Sequence, residues 1–438
     1  MVNTVECCQR SDVQVGKATS ASLFLPIMVC SLAACFYLYE FILQVAPAVM
    51  THELMRDLAL DASGLGAMSA FYYYSYAPMQ LPAGMLFDRF GPRRLITLAI
   101  MICVVGAFFF SMTHGVMLAS AGRMFMGIGS AFSFIGALLL IARWFPPQYF
   151  ALLAGIAQAM SSLGALVGEV PLAEAVARLG WRQSMFWLGI IGTLLAIFIW
   201  LFVKDHPPGY KAAKIMPEVV ESHEMQNLRQ LLKNSQTWLI AIYSFCSWSA
   251  VVVFAALWGV PYLQALYGVS TAVASSAISM IWIGIGIGSP LLGWFSDKIG
   301  RRCLPLSLAA AIGLIVTLAL VTIPHIPLYL MYVLCFGIGL AASAQSLTFG
   351  VVKDLTPPKI IGTAIGFNNM AVVAGGAIFQ PLVGWLLHLQ WNGQFQAGTP
   401  VYHALSYQHA LIILPICYLV GLIISQKLLR ETYCRSSY

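Results

Sequence analysis

Apolar residues in this chain fall in long unbroken runs, with polar residues gathered between them. Twelve runs can be drawn, at about 23–50, 64–87, 95–112, 116–142, 149–175, 182–203, 237–265, 270–296, 304–323, 327–352, 360–388 and 408–428. Each is close to the ~20 residues a helix needs to cross a hydrocarbon core. Only helices and closed barrels satisfy the backbone in lipid, and these runs are far too long for barrel strands. The pattern predicts an all-α integral membrane protein of twelve transmembrane helices. The longest polar stretch, 204–236, opens on Asp205-His206-Pro207-Pro208-Gly209, which stops a helix. Its second half, Glu221 to Lys233, is expected to form an amphipathic surface helix. This linker divides the chain into a six-helix bundle at 23–203 and another at 237–428, flanked by tails 1–22 and 429–438.

Composition agrees. Of 438 residues, 60% are hydrophobic and 9% charged, where soluble domains carry about 25% charge. That excludes a cytosolic enzyme, a nucleic-acid binder, a disordered chain and a disulfide scaffold. The net charge of +7 matters through its placement. Nineteen of the 23 Lys and Arg lie in segments on the side of the N-terminus, while Arg56, Arg178 and Arg182 lie on the other and Arg123 sits inside a run. The bias predicts that both termini are cytoplasmic. The first 22 residues are polar, so the first run reads as a spanning helix rather than a signal peptide. None of the ten cysteines falls in a loop expected outside, so no disulfides are expected, and Cys7-Cys8 reads as an untouched cytoplasmic pair. No metal-ligand spacing and no cofactor motif is present. Gly284-x-Gly286-x-Gly288 follows no strand and reads as a close-packing surface.

The halves are duplicated. Gly84-Met85-Leu86-Phe87-Asp88-Arg89-Phe90-Gly91 recurs 209 positions later as Gly293-Trp294-Phe295-Ser296-Asp297-Lys298-Ile299-Gly300. Gly127-Ile128-Gly129 recurs as Gly337-Ile338-Gly339, and Pro146-Pro147-Gln148 as Pro357-Pro358-Lys359. The copies share orientation, so their axis should follow the membrane normal, with a path between the halves.

Here the chain resembles a major facilitator superfamily transporter. The resemblance rests on Gly84-x-x-x-Asp88-Arg89-x-Gly91-x-Arg93-Arg94, its copy from Gly293 through Asp297, Gly300 and Arg301, and Arg123-x-x-x-Gly127-x-Gly129. It covers essentially the whole chain and implies two bundles around a central cavity. It also implies that these loops gate. Gly84 and Gly293 would let another helix approach, and Asp88 and Asp297 would meet the starts of the eleventh and fifth spans near Lys359 and Gln148. Those contacts would hold an outward-open state and break as the inside opens. The alternative is that the loops only fix topology. The family's antiporter signature on the fifth span pairs Gly and Pro directly. Here Gly164 to Pro171 lacks that step, which favours uptake.

Three ionisable residues lie inside runs: Glu40, Arg123 and Glu169. Such residues are costly in lipid and should face a cavity or a partner. Counting ~1.5 Å per residue places Glu40 and Arg123 at similar depths. The resemblance sets their spans together, so they are expected to pair and to respond to a proton or an anion. The alternative is a permanent ion pair that holds two helices. Arg123 could also bind a carboxylate or phosphate through its planar fork. Glu169 reads as a proton site or a solvated outer-face carboxylate, with Gln380 at its repeat position; Arg123 has Val333 at its own. Glu174 and Arg178 should form a surface pair. Cavity candidates are Tyr37, Gln44, Tyr73 and Gln158 in the first half, and Tyr243, Trp248, Gln345, Asn368, Asn369 and Gln380 in the second. Trp258-Gly259-Val260-Pro261 is a candidate gate hinge.

The combined reading is a secondary active transporter for proton-coupled uptake of a small polar or anionic organic solute. The expected partners are that solute, a proton and membrane lipid, with no nucleic acid, and the unit is a monomer. Alternatives are an exporter or antiporter of drugs, siderophores or metabolites, and a membrane sensor, which would be expected to carry an added signalling domain. An enzyme is not expected, because neither His-Glu-x-x-His nor Gly-x-Ser-x-Gly occurs in the spans. Short loops fit a bacterial cytoplasmic (inner) membrane.

Overall fold

The computed structural model describes residues 24–146, 149–207, 231–357, 360–396 and 398–434. Twelve long helical runs account for most of them: α1 (Phe24–Asp57), α2 (Ala62–Phe90), α3 (Pro92–Ser111), α4 (Val116–Trp144), α5 (Phe150–Leu179), α6 (Trp181–Phe202), α7 (Ser235–Tyr267), α8 (Thr271–Ile299), α9 (Cys303–Thr322), α10 (Leu328–Leu355), α11 (Ile361–Leu389) and α12 (Ala404–Leu428). Eleven are long and apolar enough to cross a membrane. The exception is α2, whose 29 residues include Tyr72, Tyr73, Tyr74 and Tyr76 and the internal Pro78 and Pro82. Large apolar side chains such as Leu194, Leu201, Ile315 and Val333 point outward. That is what lipid requires and water would penalise. A two-residue antiparallel hairpin, β1 (Phe395–Gln396) and β2 (Thr399–Pro400), precedes α12. The Cys7-Cys8 pair and nearly all of the expected surface helix lie outside the described residues.

The turns near Gly91 and Gly300 mark the basic end of the molecule. Both glycines have φ in the left-handed region, +76° and +64°, which a side chain would strain. Each half then caps its third helix with a carboxylate that follows its sixth. Asp205 accepts from the Arg93 amide at 2.8 Å. Glu431 accepts from the amides of Arg302 at 2.7 Å and Cys303 at 3.0 Å. A helix N-terminus favours a negative partner. Burial opposes the charge of Glu431, but the amides of Arg302, Cys303, Tyr433 and Thr432 outweigh it and hold its carboxyl below the ordinary glutamate range.

The two most extensive contacts between the halves are α2 along α11 and α5 along α8, and α1 also meets α7. By the repeat the first two are one contact seen twice, the second helix of one half against the fifth of the other. The α2–α11 contact is tight away from the basic end. A Cβ on Gly376 would stand 2.6 Å from the Tyr73 ring, and one on Gly66 would stand 2.5 Å from the Gln380 carbonyl. Asp61 Oδ2 lies 2.8 Å from His388 Nδ1 at the far end. Toward the basic end the packing loosens. Among the described residues, a Cβ on Gly84, Gly155, Gly293 or Gly362 would meet nothing within 4 Å. No described residue makes the close approach expected at Gly84 and Gly293, and the helix starts expected there, near Lys359 and Gln148, lie outside the described residues.

Candidate substrate and coupling site

The centre of the first half is built from small residues outward. Gly127 lets α4 come against the Tyr72 backbone of α2, where a Cβ would collide. Arg123 is one turn earlier on the same face of α4. Its guanidinium is thereby laid on the Tyr72 ring, Cζ 4.6 Å from the centroid. Pro47 has no amide proton, which leaves the carbonyl four residues earlier, Leu43, without its helical partner. Arg123 Nη1 donates to that carbonyl at 2.7 Å, and Nη2 donates to the Gln44 carbonyl at 3.4 Å. Arg123 is 1% exposed.

Glu40 is fully buried on α1 and accepts from the Tyr72 hydroxyl at 2.7 Å. No ion pair joins Glu40 to Arg123 among the described residues. Tyr72 stands between them, bonded to the acid by its hydroxyl and to the cation by its ring. The expected direct pair is corrected to a bridged one. Glu40 Oε2 and Arg123 Nε have no hydrogen-bond partner among the described residues. Tyr73 is turned about 100° from Tyr72 on α2. It lies near Gln44 of its own half and faces Gln380 across the interface, without closing a hydrogen bond to either. Gln380 donates its amide to the Val252 carbonyl at 2.6 Å. That carbonyl belongs to a π-helical segment, Val251–Trp258, so the irregularity of α7 precedes the Gly259-Pro261 kink expected as the hinge.

The other candidates separate. Tyr37 donates to Gln158 at 3.5 Å, linking α1 to α5. Asn368 accepts from Ser244 at 2.8 Å and donates to Thr348 at 3.1 Å, so it braces α7, α10 and α11. Trp248 is buried, and Gln345 and Asn369 are half-buried. Tyr243 is a correction. Its hydroxyl donates to the Leu306 carbonyl at 2.7 Å, and it packs with α9 in the core of its own half, not at the interface. The surface pair holds, Arg178 to Glu174 at 3.6 Å.

Glu169 is also placed differently from a solvated outer carboxylate. It is fully buried on α5, opposite Ser275 and Trp282 of α8. The repeat alignment shifts too. Gly127 abuts the Tyr72 carbonyl, and Gly339 abuts the Ile281 carbonyl. Because Tyr72 and Ile281 are repeat partners, Gly127 matches Gly339 rather than Gly337. The counterpart of Arg123 is then Cys335, fully buried, and not Val333, which is 60% exposed.

At the basic end, Asp297 meets Arg302 of its own loop at 2.9 Å. Arg302 also meets Asp354 at 3.1 Å. Arg93 donates to the Trp200 carbonyl at 2.9 and 2.6 Å. Arg89 and Arg301 are exposed. Among the described residues, Asp297 pairs only within its own half. The side chain of Asp88 and the helix starts at Lys359 and Gln148 lie outside the described residues. The capping carboxylates Asp205 and Glu431 and the bridging role of Tyr72 escaped the sequence reading. Their signal was the same spacing in both halves: an acid three residues beyond the sixth helix.

The Major Facilitator Superfamily model matches residues 29–381. The chain belongs to this superfamily. It is a multi-pass integral membrane protein of a transporter family. It is 25% identical to the probable galactarate/D-glucarate transporter of Escherichia coli, covering 93% of this chain and 95% of that one. It is 24% identical to a membrane sensor protein of the same organism, covering 78% of this chain and 82% of the relative. Among solved structures, a bacterial homolog of the human lysosomal transporter Spinster, in an inward-facing and unoccupied conformation, superposes with a TM-score of 0.73 at 17% identity. That match covers 92% of this chain and 97% of the other.

Proposed function

We propose that this chain is a secondary active transporter that moves a small organic anion across a bacterial cytoplasmic membrane by alternating access, driven by protons. It has twelve spans, with both termini and the basic loops on the cytoplasmic side. The observation that carries the reading is Arg123, buried in the centre of the first half with no acidic partner and with Nε unused among the described residues. A buried guanidinium without a counter-ion is costly, and an anionic solute repays it. Glu40 is the coupling acid. Its charge reaches Arg123 through Tyr72, so protonating it strengthens the hold of Arg123 on an incoming anion. Tyr73, Gln44 and Gln380 supply neutral hydrogen-bonding groups beside it. The galactarate/D-glucarate relative fits an anionic substrate class.

Liposomes containing the purified protein and an internal pH dye test this. Sugar diacids and other organic acids should drive proton entry in the parent. Glu40→Gln should abolish proton entry while leaving solute exchange. Arg123→Gln should weaken the anion by about a hundredfold, roughly 3 kcal/mol. Solute accumulation without proton movement in the parent would remove Glu40 from the coupling role. A sensor reading is favoured by the sensor relative; it predicts anion binding with no flux.

A further inference from the structure

The α5–α8 contact holds a carboxyl that the transport reading above does not use. Glu169 is fully buried, and neither of its oxygens has a hydrogen-bond partner among the described residues. It faces the Ser275 hydroxyl and the Trp282 indole N–H, both on the other half. Those two groups are also unpartnered. On its α1 side, the neighbouring Gly168 packs on Ile42 and Val45. From α10 the titratable group that faces it is the Cys335 thiol. No ion pair reaches Glu169 among the described residues. The related contact, α2–α11, carries Gln380 at the matching position. Glutamine is the neutral isostere of a protonated glutamic acid, and Gln380 sits in a packed interface beside Tyr73, the counterpart of Trp282.

We propose that Glu169 is a proton-controlled latch between the halves, closed as the neutral acid and released when the proton leaves to water. In the neutral form its hydroxyl donates to Ser275 and its carbonyl accepts from the Trp282 N–H. Three otherwise unsatisfied groups then satisfy one another across the interface. The anion would stand in a dry contact with no cation, which is costly. Parting the helices hydrates it. Deprotonation and opening are therefore linked, with the closed contact favoured at low pH. The inference rests on the halves moving as an alternating-access transporter requires. It does not depend on Glu40, Arg123 or the identity of the solute.

Hydrogen exchange of the full chain in lipid nanodiscs tests it, with labelling times scaled to the intrinsic rate at each pH. Peptides covering 165–179 of α5 and 271–283 of α8 should lose protection by about tenfold per unit as pH rises through the titration of Glu169. Glu169→Gln should stay protected at every pH. Trp282→Phe keeps the ring packing and removes the N–H, and should move the transition to lower pH. Gln380→Glu should bring a new pH-dependent loss to peptides of α2 and α11. The same pH profile in the parent and Glu169→Gln would overturn the latch, as would a parent whose protection does not change with pH. No solute is present, so a failed transport assay leaves this readout intact.

Discussion

On one side of the repeat axis, Tyr73 of α2 faces Gln380 of α11, with Arg123 of α4 behind it. On the other, Trp282 of α8 faces Glu169 of α5, with Cys335 of α10 behind it. The positions correspond pair by pair, and the helices pack the same way. The chemistry is inverted: one contact holds a cation and an amide, the other an acid and a thiol. Duplication supplied two like interfaces, and substitution made them chemically different. Under the proposed function the first would serve the anion, with Arg123 Nε unused among the described residues, and under the latch proposal the second would serve a proton.

The comparison can be broken most strongly by packing. Gly376→Ala pushes a methyl into the Tyr73 ring, and overpacking of this kind costs about 1–3 kcal/mol. The matching position across the axis is Ala165, which already carries that methyl. Thermal unfolding in detergent should fall for Gly376→Ala. An unchanged midpoint would mean that the α2–α11 contact is less close than described.

A smaller effect concerns the caps. Glu431→Gln should cost about 1 kcal/mol, since the amides of Arg302 and Cys303 lose their charged acceptor. The carboxyl lies below its unfolded value when folded, so its contribution is complete above about pH 4.3 and is lost as pH falls through the folded value. A stability profile between about pH 3 and 6 should be flatter for Glu431→Gln than for the parent. Parallel profiles would remove Glu431 from the cap.

The smallest effect belongs to His388. Its pairing with Asp61 is partly exposed and ties only the α2–α11 contact. His388→Ala should cost roughly 0.2–1 kcal/mol. Hydrogen exchange should rise at 62–70 and not at 271–283. Equal rises at both would show that the two contacts open as one.

Much of the fold was legible because it depends on local composition. Apolar runs, a polar linker and a lopsided count of Lys and Arg survive without any knowledge of partners. The inverted site was only half legible. Glu40 and Arg123 stood out because a charge inside a run is costly wherever the helix turns. Their relation was misjudged, because the hydroxyl of Tyr72 was one of many polar groups in its span. Glu169 was left open between a proton site and a solvated carboxylate, because depth along a helix does not reveal which face is covered. The match of Arg123 to Val333 failed because two glycines two residues apart both fit the repeat. Only the carbonyl each one touches tells them apart.

The sequence by itself determined a membrane-embedded helical protein made of two like halves, with a basic face and three charges that lipid would not tolerate alone. These follow from desolvation, which each residue carries with it. Tertiary structure decided what surrounds those charges: Tyr72 joins Glu40 to Arg123, and Glu169 is buried opposite Ser275 and Trp282. It also decided that four backbone amides hold Glu431, outside the spans. Partner choice turns on helix rotation and approach. Each residue turns a helix face by about 100°, and small contacts such as Gly127 on Tyr72 set the rotation.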